Sequence, residues 1–135
     1  MMNNSYMPKS KSDTHLTPDR VYDMIKENWG YSKDDMFDPC PEDSLFDGLN
    51  YNKLDWQKIN YVNPPYTLLR EFVKRAIDET VLGNKTIMLL PSKTDQEWYH
   101  NLIDLKFEIV WIRRRLKFKN NKWSATQPHF LVLIQ

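Results

Sequence analysis

The stretch Ile59-Asn60-Tyr61-Val62-Asn63-Pro64-Pro65-Tyr66 decides how this chain is read. Ile59 to Val62 is a short apolar run of strand character, and a helix-like pattern opens near Leu68. The tetrapeptide Asn63-Pro64-Pro65-Tyr66 therefore falls at the C-terminal lip of a strand, where open α/β sheets bind ligands. Two consecutive prolines fix the backbone φ and remove two N–H donors. Asn63, standing before a proline, is pushed towards an extended conformation. The result is a stiff turn that holds a side-chain amide, carbonyl oxygens and one aromatic face in fixed relation. An exocyclic amino group on a planar base needs such partners: acceptors for its hydrogens and a ring to stack on.

Downstream, Leu68, Leu69, Phe72, Val73, Ala76, Ile77 and Val81 recur at helical spacing and predict an amphipathic helix closed by Gly83-Asn84. The continuous apolar run Thr86 to Leu90 before Pro91 reads as a buried parallel strand. A short helix over 95–103 carries Trp98, Leu102 and Ile103, and strands follow over Phe107 to Ile112 and Phe130 to Ile134. Upstream, Thr17-Pro18-Asp19 reads as a helix start, with Thr17 as N-cap and Pro18 at the first helical position. Val21, Tyr22, Ile25 and Trp29 continue it, and Gly30 offers a stop. Met36-Phe37-Asp38-Pro39 predicts a short strand with a turn at its C-terminal end, and 41–58 reads as irregular and polar. Strands alternating with helices predict an α/β fold with a mostly parallel sheet and helices on both faces. No helical pattern separates the last two strands, so the ending is expected to be antiparallel.

At 135 residues the chain suits one domain, expected over 15–135 behind a polar, disordered lead-in over 1–14. Hydrophobic content of 41% and charged content of 27% are those of ordinary soluble globular proteins. No apolar run reaches membrane-span length, and the N-terminus lacks the apolar core of a signal peptide. The lone Cys40 excludes an intramolecular disulfide and fits a reducing compartment, so the expected location is cytoplasmic, in a host cell if the chain is viral. His15, His100 and His129 are too scattered for a metal site, and Cys40 has no cysteine partner, so no metal is expected. No serine or cysteine sits in a recognisable nucleophile pattern.

A net charge of +1 hides an asymmetry. Asp34, Asp35, Asp38, Glu42, Asp43 and Asp47 follow one another without a basic residue. Arg113, Arg114, Arg115, Lys117, Lys119 and Lys122 cluster near the other end, interleaved with Leu116, Phe118 and Trp123. Both runs can be plain solvated faces. The functional reading is that the basic segment meets phosphates and the acidic one a cationic or polar cofactor. In an extended strand, alternation would set Arg113, Arg115 and Lys117 on one face and Arg114, Leu116 and Phe118 on the other.

Taken in order, Thr17-Pro18, Asp38-Pro39-Cys40, Asn63-Pro64-Pro65-Tyr66, Leu89-Leu90-Pro91 and Arg115-Leu116-Lys117-Phe118 resemble the phage-type (Dam-like) DNA N6-adenine methyltransferases, over roughly 15–135. The resemblance implies a Rossmann-like class I methyltransferase fold, S-adenosylmethionine (SAM) as donor and DNA as partner. It makes Asn63, Pro64, Pro65 and Tyr66 the catalytic loop. The Asn63 side-chain oxygen and the Pro64 carbonyl would hold the adenine N6 hydrogens, and Tyr66 would stack on the flipped base. It places Thr17, Pro18, Asp38, Pro39 and Cys40 at the donor, with Asp55, beside Trp56, near the donor's adenine. Arg113, Arg115, Lys117, Phe118 and Lys119 would meet DNA, most weight falling on Arg115 and Phe118. Residues 40–44 depart from the widespread methyltransferase pattern: they read Cys-Pro-Glu-Asp-Ser where that pattern is glycine-rich, and no glycine comes before Gly48.

Other readings stay open at this point. Asn-Pro-Pro-Tyr loops also serve RNA bases and protein amide nitrogens, and a degenerate methyltransferase fold can persist as a DNA-binding module. Thr17-Pro18 can be a plain helix cap, Asp38-Pro39 a turn initiator, Trp56 a core residue and the basic stretch a solvated hairpin. A chain this short leaves little room for a separate recognition domain, which predicts either low sequence specificity in a monomer or a homodimer presenting two basic hairpins.

Overall fold

In a computed structural model of the chain, residues 16–41, 48–50 and 54–135 are described. The expected lead-in over 1–14, and the acidic residues Glu42, Asp43 and Asp47, lie outside them. Among the described residues four strands form one sheet: β1 (Ile59–Val62), β2 (Lys85–Pro91), β3 (Glu108–Trp111) and β4 (His129–Ile134), in the order β1-β2-β4-β3. The two central strands are the most apolar. Every residue of β4, and all of β2 after Lys85, is buried, as a strand covered on both faces requires.

The mostly parallel sheet expected from the alternation of elements is not what forms. β1 and β2 pair in parallel, but β4 pairs antiparallel with both β2 and β3. The physical cause is the link from β3 to β4, which has no helix to carry the chain back over the sheet. β4 returns in the opposite sense and inserts between β2 and β3, which makes the sheet mixed. The expected antiparallel ending is present.

Helices cover both faces. α1 (Asp19–Trp29) packs Val21 and Ile25 with Tyr61, Ile87, Leu89, Leu131 and Leu133. It stops at Gly30, whose φ of 82° is the left-handed conformation glycine tolerates and whose N–H closes on the Lys26 carbonyl. On the opposite face α2 (Leu69–Thr80) and α3 (Glu97–Asp104) pack Phe72, Val73, Ala76, Trp98 and Leu102 with Val62, Met88, Leu90, Phe130 and Val132. Val81, read above with the apolar stripe of α2, lies just past the last helical residue and is exposed. A 3-10 turn over Tyr66–Leu68 joins the Asn-Pro-Pro turn to α2.

The N-cap of α1 is Pro18 rather than Thr17, with no side-chain capping bond. Thr17 is engaged elsewhere, at the end of β1.

Candidate active site

The Asn63 amide is oriented from outside its own loop. Its Nδ2 donates to Thr17 Oγ1 at 3.1 Å, and that hydroxyl lies 2.8 Å from the Tyr61 hydroxyl. Tyr61 is a buried β1 residue whose ring meets Tyr22 of α1 at 5.2 Å between centroids. A threonine at the mouth of α1 is thereby joined to the residue that ends β1. With Nδ2 donating to Thr17, the Asn63 amide is held in one orientation. Pro64 and Pro65 are buried, so the loop cannot easily swing.

The Asp38-Pro39-Cys40 turn emerges beside this loop. Phe37 bridges in parallel to Asn60, through its N–H to the Ile59 carbonyl (3.0 Å) and the Tyr61 N–H to its own carbonyl (2.8 Å). Both turns thus leave from the same end of the sheet. The Cys40 N–H donates to Asp38 Oδ1 at 2.8 Å, which folds the turn on itself. Burial pushes the Tyr61 phenol well above its ordinary range and Tyr22 upwards; the Asp38 carboxylate adds to both effects. Asp38 thus lies near enough to both phenols to act on them electrostatically. Gly48 returns to this turn, and a Cβ on it would collide with the Pro39 carbonyl oxygen.

Tyr66 is half-buried, with its hydroxyl 3.0 Å from His129 Nε2 and the two rings stacked at 6.3 Å between centroids. One side of Tyr66 walls a cleft of about 310 Å³ closed by Phe118 and residues 121–126, including Lys122 and the exposed Trp123.

The basic stretch lies on the long link between β3 and β4. Leu116 and Phe118 are buried, while Arg113, Arg114, Arg115, Lys117 and Lys119 are exposed. The link is clipped to the start of α1 at several points. Lys119 N–H donates to the Leu16 carbonyl (3.1 Å), Leu16 N–H to Asn120 Oδ1 (3.0 Å), and Lys119 Nζ lies 2.7 Å from Asp19 Oδ1. Arg20 Nη2 donates to the Arg113 carbonyl at 3.2 Å.

Comparison with known proteins follows the same lines. The profile of the family described as DNA N-6-adenine-methyltransferase (Dam) matches residues 4–129. The chain belongs to this family. It is 32% identical to the DNA N-6-adenine-methyltransferase of Haemophilus phage HP1 over 150 aligned residues, covering 100% of this chain and 86% of the relative. It is also 36% identical to the DNA N-6-adenine-methyltransferase of Escherichia phage T1 over 63 residues, 45% of this chain and 26% of that relative. No solved structure matches the chain.

In this member of the family Thr17, Asp38, Pro39, Cys40 and Asn63 to Tyr66 lie at one end of the sheet. Asp55 is not brought there. It is exposed and precedes the N-terminal end of β1, in a cleft with Arg75, Glu79 and Asn84, whereas Asn63 follows the C-terminal end. Four strand residues separate the two ends, roughly 13 Å at ~3.3 Å per residue.

The basic stretch is corrected in two respects. It is an irregular link, not a strand hairpin: Arg114 takes a φ of 65°, which breaks the alternation and turns it to solvent. Phe118 is 1% exposed and packs edge-on against His129, so its ring supports the link rather than offering a face to a base. Arg115 closes the link by donating from Nη1 to the Thr126 carbonyl. His129, set aside above as a metal ligand, is the residue that sequence reading missed. No local pattern pairs it with Tyr66, 63 positions away.

Proposed function

We propose that this chain transfers a methyl group from SAM to the N6 amino group of adenine in DNA, by direct displacement on a base turned out of the duplex. The observation that carries the proposal is the Asn63–Thr17 hydrogen bond, because it fixes the Asn63 amide, a group able to accept from N6–H through its oxygen, at the mouth of the sheet. Drawing N6–H towards Asn63 Oδ1 and the Pro64 carbonyl makes the nitrogen more pyramidal and its lone pair more available. Tyr66 offers a ring on which the base can stack, offsetting part of the stacking lost on leaving the duplex. The cleft beside it is larger than a single purine.

The residues on the Thr17 side fit a cationic donor. Thr17, Asp38 and Cys40 present oxygen, carboxylate and backbone groups around one negative charge, and this arrangement suits a sulfonium and ammonium compound. When bound, SAM supplies an electrophilic methyl group on a positively charged sulfur. The chain's own task is placement: Thr17 and Asp38 hold one partner, Asn63 and Tyr66 the other, and alignment of two reactants can account for a large part of a rate enhancement. A class I, Rossmann-like reading of the fold is supported by Phe37, β1, β2 and β3 all running in one direction. Arg113, Arg115, Lys117 and Lys119 are the proposed phosphate contacts of the β3–β4 link. The phage origin of the relatives supports action in a bacterial host's cytoplasm. No helix among the described residues is long and apolar enough to cross a membrane.

The test is transfer of labelled methyl from SAM to unmethylated DNA, with nucleoside analysis of the product. The expected product is N6-methyldeoxyadenosine, and Asn63→Ala should abolish it with the fold intact. Label in another nucleoside, in RNA or protein instead of DNA, or equal transfer by the variant overturns the proposal.

A further inference from the structure

Tyr66 walls a second cleft, of about 380 Å³, on the side of α2 and α3. It shares no lining residue with the 310 Å³ cleft except Tyr66. Thr67 lines it from the 3-10 turn before α2, Arg70 from the first turn of α2, Lys93 and Gln96 from the turn after β2, and the buried Trp98 closes it. Two of these side chains are cations, others are hydroxyl or amide donors, and no carboxylate among the described residues lines the cleft. Among the described residues, neither Arg70 nor Lys93 takes part in an ion pair.

The backbone beneath Lys93 is fixed. Ser92 N–H donates to the Pro128 carbonyl (2.9 Å), Lys93 N–H to the Pro91 carbonyl (3.0 Å) and Gln96 N–H to the Lys93 carbonyl (3.0 Å). Lys93 thus follows the C-terminal end of β2 on the same rim that carries Asn63 at the end of β1. A nucleotide stacked on Tyr66 has a phosphate on each side of its sugar. The β3–β4 link supplies cations on one side of Tyr66, and the second cleft supplies Arg70 and Lys93 on the other.

We propose that this second cleft is a phosphodiester-binding site, in which Arg70 and Lys93 hold the backbone of the target strand next to the displaced base. The proposal rests on the reading of DNA as the acceptor. Arg70 presents a planar fork suited to two phosphate oxygens and Lys93 a point charge. Neither touches the reacting atoms. Their contribution is to affinity and strand register, and it is sensitive to salt.

The test measures binding of unmethylated duplex DNA by fluorescence anisotropy across a salt series, with methylation kinetics alongside. The Arg70→Gln/Lys93→Gln double variant is compared with Lys26→Gln/Lys58→Gln, which removes the same charge from exposed positions away from both clefts. Each lost phosphate contact lowers the magnitude of the log–log salt slope by ~0.9 on duplex DNA. The double variant should therefore lose about 1 to 2 in slope and raise the DNA KM about tenfold, with kcat at saturating DNA and affinity for SAM unchanged. Equal slopes for the two double variants, or a loss confined to SAM affinity, overturns the site while leaving the proposed activity standing. Absence of salt-dependent DNA binding by the unaltered chain overturns the DNA reading itself, and this site with it.

Discussion

The Tyr66 hydroxyl lies 3.0 Å from Nε2 of His129, and the other imidazole nitrogen, Nδ1, lies 3.1 Å from the Gln127 carbonyl. A carbonyl oxygen only accepts, so the Nδ1 contact calls for the proton on Nδ1. In the neutral ring that leaves Nε2 as an acceptor for the tyrosine O–H. His129 is 2% exposed and opens β4, where it pairs in register with Pro91. A rigid central strand therefore sets the rotation of the Tyr66 ring.

Removing the hydroxyl while keeping the ring tests this coupling. Tyr66→Phe should lower kcat roughly 10- to 100-fold through misplacement of the stacked base, with little change in the KM for SAM. His129→Gln, which can return a hydrogen-bonding group near Nε2, should retain more activity than His129→Leu. Combining Tyr66→Phe with His129→Gln should cost no more than Tyr66→Phe alone, because both act on one contact. Steady-state kinetics of the four variants decides it; multiplicative losses would separate the two residues.

Thr17 holds the Asn63 amide in one of its two flips. Thr17→Val keeps the shape but removes the hydroxyl, so the amide loses its directing partner and the Tyr61 hydroxyl loses a buried one. A stability loss of about 1–3 kcal/mol is expected from the stranded phenol, together with a fall in kcat. Thr17→Ser should restore both. Thermal unfolding and initial rates measured on the same preparations check the pair, and a fully active valine variant would remove Thr17 from the site.

Gly48 packs where no side chain fits. In Gly48→Ala the added methyl meets the Pro39 carbonyl, which is backbone and cannot rotate away, with the Phe72 ring next to it at 3.3 Å. Overpacking of this kind costs about 1–3 kcal/mol. The expected readout is a lower urea midpoint and, because the strain falls on the Asp38-Pro39-Cys40 turn, weaker SAM binding by calorimetry. An unchanged SAM affinity would detach that turn from the donor.

Asp19 carries a carboxyl lowered from its ordinary value of 3.8, first by the hydrogen bond from Lys119 and then by that cation's charge. A lowered folded-state pKa means stability that is present above the ordinary value and lost as pH falls through the lowered one. Asp19→Asn should therefore melt below the unaltered chain at neutral pH and converge with it in acid below 3.8. Both groups face solvent, so the difference should be small and should vanish in high salt. A difference that persists in high salt would show that Asp19 acts by some other route.

How much of this was legible in the sequence depends on how far apart the interacting residues stand. α1, α2 and β1 were read within a few residues because apolar periodicity and the Gly30 and Gly83 stops are local signals. The Asn-Pro-Pro-Tyr turn was legible for the same reason: proline chemistry acts on its immediate neighbours. The buried Arg75–Glu79 pair, at 2.7 Å, was not. On a helical wheel it looks like a solvated i,i+4 pair, and only its neighbours show otherwise. The Arg75 guanidinium stacks on Trp56 and donates to the Gly48 and Leu54 carbonyls, and Asn84 donates to Glu79.

The sequence by itself determined the chain's local conformations, the stiffness of the loop ending β1 and the order in which the functional segments arrive. Tertiary structure alone decided that β4 inserts between β2 and β3, that Thr17 turns the Asn63 amide, that Phe118 faces inward and that His129 holds Tyr66. The physical reason is that backbone preference and hydrophobic period are written in neighbouring residues. Strand partners, the orientation of an amide and the burial of a polar ring depend on atoms that meet only after the chain has packed.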